Sequence, residues 1–167
     1  MELWDARDRD GRLLGYDLTR GEPIPDGVFH LVSEIVVRHE SGKFLLMRRA
    51  EGKETFPGMW ECSAAGSALK GEDAIKCAKR ELREETGVDR GAFTELCTVT
   101  TKHVLYHEFL CETDFPKDAV RLQAGETVAF RWVTADELLR LMDVGEVIPE
   151  RRCQIIRELL KKDRTPD

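Results

Sequence analysis

The run from Gly66 to Val88, GSALKGEDAIKCAKRELREETGV, constrains this chain more than any other stretch. It reads as one helix. Glu72 and Asp73 place acids at a helix start, and Gly87 supplies the left-handed residue that ends one. At about 100° per residue, Ile75, Ala78 and Leu82 form an apolar stripe with Ala74 beside it. Glu81, Glu84 and Glu85 crowd an adjacent stripe, while Lys76, Lys79, Arg80 and Arg83 are expected on the side away from them. Acids in a last turn oppose the helix dipole by ~0.3–1 kcal/mol, and the i, i+4 pair Glu81 and Glu85 repels by ~0.2–0.5 kcal/mol. A divalent cation reverses both signs. Hard carboxylate oxygens suit magnesium, which keeps several waters and shares its shell with substrate phosphates. The ordinary alternative is a solvated helix with surface pairs such as Arg80 to Glu84.

Gly66, Glu72, Arg80, Glu81, Leu82, Glu84, Glu85, Gly87 and Val88 fill every specified place of G-x5-E-x7-R-E-U-x-E-E-x-G-U, where U is a bulky aliphatic residue. That pattern resembles the box of the Nudix hydrolases. The seven fixed identities would coincide by chance on the order of once in 10⁸ placements, so the resemblance outweighs the surface-helix alternative. It extends more softly over residues 28–160. Phe44 to Arg49 resembles the strand before the substrate loop, and Lys53-x3-Pro57-Gly58-x-Trp60 resembles the branch holding isopentenyl-diphosphate isomerase and its hydrolase relatives. Leu3-Trp4-Asp5 with Gly11 fits that branch too.

The 167 residues, 41% hydrophobic, suit one globular domain with a core. The expected division is a hairpin extension and linker at 1–27, a Nudix domain at 28–160 and a tail at 161–167. A net charge of −6 argues against nucleic acid as the main partner. No apolar run reaches the ~18 residues that cross a membrane, and the N-terminus lacks a signal-peptide pattern, so a soluble, cytoplasmic protein is expected. Five scattered cysteines without a C-x2-C pair read as reduced structural thiols. A homodimer is compatible with the sequence.

Along the chain, Glu2–Arg7 and Arg12–Leu18 flank an Asp8 to Gly11 turn and predict an edge hairpin. Phe29–Arg38 and Lys43–Arg49 predict a second hairpin, and Phe93–Thr101, His103–Thr113 and Thr127–Val133 predict further strands. Thr134-x-x-Glu137 is a capping box for a helix through about Met142, and Pro149 marks the start of a last helix reaching about Leu160. Helices separated by strands make the class α/β. The resemblance implies an α/β/α sandwich with a mixed β-sheet.

The resemblance also implies an activity: Mg2+-dependent hydrolysis of a diphosphate linkage, with Mn2+ as a substitute ion. Water attacks phosphorus, and positioning and electrostatics carry the catalysis. Glu81, Glu84 and Glu85 are implied metal ligands, the Ala65 carbonyl a further one, and Arg80 an orienting partner of the glutamates. Glu126, six residues before Trp132, is the candidate extra acid. Glu72 reads as a cap that pairs with Arg80. Arg48, Arg49 and Lys53 are candidate phosphate contacts, although strand alternation points Arg48 and Arg49 to opposite faces. Phe56, Trp60 and Tyr106 are candidate stacking rings, with core packing favoured for Trp60 and Trp132. His103 and His107 would lie about 13 Å apart along a strand, which disfavours a shared metal. A small-molecule nucleoside diphosphate, or one joined to a further group, is the expected substrate.

Two alternatives stay open. An isomerase of this branch carries a cysteine five residues after the tryptophan, where this chain has Ala65. Cys62, in one extended strand, would face the other way. The other alternative is a nucleotide-binding Nudix module without chemistry.

Overall fold

In this computed structural model, residues 1–148 and 151–163 are described. The strands are β1 (Leu3–Arg7), β2 (Leu13–Thr19), β3 (His30–His39), β4 (Phe44–Arg49), β5 (Trp60–Cys62) and β6 (Ala64–Ser67), followed after the first helix by β7 (Ala92–Thr100), β8 (Val104–Thr113) and β9 (Thr127–Val133). The helices are α1 (Ala74–Thr86), α2 (Ala135–Asp143) and α3 (Arg151–Asp163). α1 is the predicted box helix. Asp73 caps it by accepting the Lys76 N–H at 2.8 Å, and Gly87 ends it at φ 77° while donating its N–H to the Arg83 carbonyl. Thr134 and Glu137 form the reciprocal capping box of α2. Pro149, expected at the start of the last helix, lies outside the described residues, as does the end of the 161–167 tail.

β3 is buried on both faces, so its alternating residues serve two cores. Ile35 and Val37 join Leu45, Met47 and Phe109 against Ala78 and Leu82 of α1. Val36 joins Phe44, Leu46 and Leu110 against Leu138 of α2 and Ile156 of α3. The result is the expected α/β/α sandwich. Its sheet is mixed, with β8 parallel to β3 and antiparallel to β7.

The short strands β5 and β6 were not anticipated from the sequence. β3 and β4 pair only at Arg38 and Phe44, then part. β6 runs beside β3, β5 runs beside β4, and Ser63 sits between them at the vertex. The Ser63 hydroxyl accepts the Val37 N–H at 3.0 Å and donates to the Leu45 carbonyl at 2.8 Å, while the Ser63 N–H reaches the Ile35 carbonyl. One residue therefore bridges both arms of the fork.

The N-terminal hairpin does more than trail from an edge. Arg7 and Phe29 exchange two backbone hydrogen bonds of 2.9 Å, and the Trp4 ring stacks on His30 at 4.1 Å. The Leu3 carbonyl accepts the Lys70 N–H, the Asp5 carboxylate accepts the Gly71 N–H, and Arg7 donates to the Glu72 carbonyl. The hairpin thus props the loop that delivers the chain into α1.

Because a buried N–H left unsatisfied costs ~1–3 kcal/mol, Ser63→Ala should lower the unfolding free energy by about that amount in urea denaturation. A loss under ~0.5 kcal/mol would show that the fork closes without the hydroxyl.

Candidate active site

The box helix lays its acids along the fork. The Glu81 carboxyl fills the space over Gly66, where a Cβ would lie 2.0 Å from its carboxyl carbon, so only glycine admits it. Arg80 turns toward these acids, contrary to the expectation that it lies away from them. Its guanidinium grips Glu72 bidentately at 2.8 and 2.9 Å, and Nη1 donates to Glu81 at 2.7 Å and Glu84 at 3.1 Å. Nη2 also donates to the Ser67 carbonyl. Arg80 and Glu84 stand one turn apart on one face, and the flexible stem carries the charge back to Glu72. The Arg80 hydrogen bonds hold the Glu72 carboxyl below its ordinary range.

Among the described residues, Glu85 has no such guanidinium. Its Oε2 accepts the Ala65 N–H at 3.2 Å. Burial pushes its carboxyl up to about 8, with the charges of Glu61 and Glu81 adding and the Ala65 N–H and Arg152 opposing. Burial also raises Glu81, against the pull of Arg80. Among the described residues, no three Asp, Glu, His or Cys side chains close around one point. Glu81 and Glu84 are drawn to Arg80 instead.

Glu61 was missed in the sequence. It lies on β5 opposite Met47, close enough to Glu85 to disfavour its charge, and it accepts Arg49 Nη1 at 3.1 Å. A single glutamate in a three-residue strand carries no motif, and the fork alone brings it to the box. Arg49 reaches the acids through Glu61 and also donates to the Thr55 carbonyl. Arg48 points elsewhere, to the Gly58 carbonyl at 2.9 Å and to Glu51. Lys53 and Glu126 are ion-paired with each other, and the Glu126 carbonyl accepts the Ala50 N–H. Phe56, on the same loop, is exposed with a left-handed φ of 50°.

Behind the fork lies a buried ionic cluster. Glu34 pairs in register with Ala65 on one side and Glu108 on the other. Arg151 contacts Glu34 at 2.5 Å and Glu108 at 3.0 Å, and Arg152 contacts Glu34 at 3.1 Å while donating to the Cys62 carbonyl. Burial opposes charge on Glu34, but Arg152 and Arg151 outweigh it and hold the carboxyl well below its usual range. Burial and the adjacent Glu34 push the Glu108 carboxyl up. The Arg151 guanidinium lies 3.6 Å from the Tyr106 ring centroid, over the face a stacking ligand would use.

Cys62 and Ala65 do not alternate along one strand. β5 ends at Cys62, Ser63 turns the chain, and β6 begins at Ala64. The Cys62 thiol is buried, which pushes it up to about 12 and leaves it inert near neutrality. Trp60 and Trp132 pack partly buried against the two cores, with Arg131 over Trp60 at 4.4 Å. His103 meets the Val28 carbonyl and His107 meets Glu95.

A carboxyl raised in the folded state is a stability term that is full below the unfolded value and fades as pH rises to the folded one. The metal-free protein should therefore lose stability from about pH 4.5 to pH 8, and Glu85→Gln should shrink that loss. Chemical denaturation at pH 5 and pH 8 in chelator reads this, and an identical slope in the variant would place Glu85 in water.

Comparison with known proteins places these features. The NUDIX domain matches residues 28–150. A Nudix hydrolase of Listeria monocytogenes is 35% identical over 155 residues, covering 89% of each chain. An isopentenyl-diphosphate Delta-isomerase of Streptomyces avermitilis is 30% identical over 143 residues, covering 81% of this chain and 73% of that one. A solved structure from Deinococcus radiodurans superposes with a TM-score of 0.74 at 21% identity, covering 94% of this chain and 98% of that one. Among the described residues, no helix is long and apolar enough to cross a membrane. The chain therefore belongs to the Nudix hydrolases, enzymes that cleave diphosphate linkages.

Proposed function

We propose that the fork binds a divalent cation, magnesium with manganese as a substitute, and that the enzyme hydrolyses a nucleoside diphosphate or a nucleoside diphosphate joined to a further group. The carrying observation is the carboxylate pair held on the fork, Glu81 over Gly66 and half-buried Glu85 at the Ala65 N–H, with Glu61 beside them. Hard oxygen donors gathered where ionisation is penalised fit a hard cation. Glu81, Glu84 and Glu85 are its side-chain ligands in this reading, with the Ala65 carbonyl and Glu126 completing the set. The ion would neutralise phosphate charge and acidify a bound water.

The chain's own groups do the rest. Arg80 holds Glu81 and Glu84 in place until the cation competes for them. A carboxylate of the set orients the attacking water and takes its proton. Arg49 is best placed to meet a phosphate oxygen, since it already reaches Glu61; Arg48 and Lys53 contribute once they leave Glu51 and Glu126. The cysteines fit a reducing, cytoplasmic setting, for no disulfide joins them among the described residues.

A second reading, double-bond isomerisation, draws on the likeness to the Streptomyces enzyme. Against it stand Ala65 at the cysteine's place and the buried Cys62.

Magnesium-dependent release of phosphate or nucleotide across a diphosphate panel tests the proposal. Glu84→Gln and Glu85→Gln should each lower turnover by about 100-fold or more while leaving the apo protein folded. No turnover by wild type or variant, with equal nucleotide binding by both, would leave a silent binding module. Conversion of an isoprenoid diphosphate without phosphate release would favour the isomerase. Gly66→Ala should likewise depress turnover by expelling the Glu81 carboxyl, with melting within about 3 °C of wild type. A larger drop in melting would show that Gly66 serves the fold.

A further inference from the structure

We propose that a second anion site lies on the outer side of the box helix, in a cleft that takes the phosphate groups of a small polyphosphorylated molecule. The cleft holds about 520 Å3, within the range of small-molecule sites, between α1 and the loop leading into β7. Lys79, Arg80, Arg83 and Arg90 line it against one acid, Asp89. Four cations to one acid is a local inversion in a chain of net charge −6.

The cations are not equally occupied. Arg80 is spent on Glu72, Glu81 and Glu84, and Arg90 pairs with Asp114 at 2.8 Å. Lys79 and Arg83 are exposed, one turn apart on one face of α1, and make no ion pair among the described residues. Lys79 lies 5.8 Å from the Phe93 ring centroid, which forms an apolar wall of the cleft. A lysine point charge beside an arginine fork, both free and facing one cavity, is the donor set that phosphate oxygens satisfy. Extended nucleic acid fits poorly, because the surrounding surplus of acids repels a long phosphate backbone.

Two sources supply such a ligand: distal phosphates of the substrate, or a separate phosphorylated effector. Binding does not depend on the hydrolase reading, so it is measured without turnover. Calorimetric titration of the metal-free protein with inorganic tripolyphosphate, in chelator at low salt, should show binding that falls about tenfold or more in the K79A/R83A double variant. The Lys79→Arg and Arg83→Lys exchange should retain it, and circular dichroism should show each variant folded. No binding by wild type, or equal binding by K79A/R83A, overturns the proposal. In turnover assays, a raised KM of the double variant for a nucleoside triphosphate but not a diphosphate, at constant kcat, assigns the cleft to the substrate's distal phosphates. Loss only of a tripolyphosphate effect on turnover assigns it to a free effector.

Discussion

Two strands that pair at one point and then diverge expose backbone donors and acceptors on both inner edges, and a fold survives that only if something satisfies them. Here β5 and β6 take up the edges and Ser63 closes the vertex, binding Val37 on one arm and Leu45 on the other. The opening is thereby fixed rather than yielding. Glu61 stands on one arm, Ala65 and Gly66 on the other, and the box helix crosses with Glu81 over Gly66 and Glu85 at the Ala65 N–H.

Within that fork the electrostatics divide into a satisfied half and an unsatisfied half. Arg80 collects Glu72, Glu81 and Glu84, which lets three acids share one short stretch without collapse of the helix end. Glu85 stays outside that arrangement, half-buried against further negative charge. Its neighbours Glu81 and Glu84 are already engaged, so their oxygens reach any other positive charge only by exchanging contacts with Arg80. Arginine stands where the end of the box helix gathers its negative charge.

The sequence made α1 legible because its signals are local: a cap, an apolar stripe and a glycine stop within one run. The capping box of α2 and the long strands were legible for the same reason. β5 and β6 were not, since three- and four-residue strands carry no alternation and exist only because β3 and β4 part. Arg80 was set among the bases on the far side although its i, i+4 spacing shares a face with Glu84, and its long stem also carries the charge to Glu72 and Glu81. Glu61 and the pairing of Glu34 with Arg151 and Arg152 depend on contacts between distant segments, which no window of sequence contains.

The ionic cluster behind the fork bears on how the chain acquires its shape during synthesis. Glu34 and Arg151 are 117 residues apart, so β3 is made long before the guanidinium that neutralises it. A charged acid enclosed without its partner is costly, so β3 keeps Glu34 charged in the interior only with α3 docked against it. α3 is then the latch of the sheet, closing on a strand 117 residues before it.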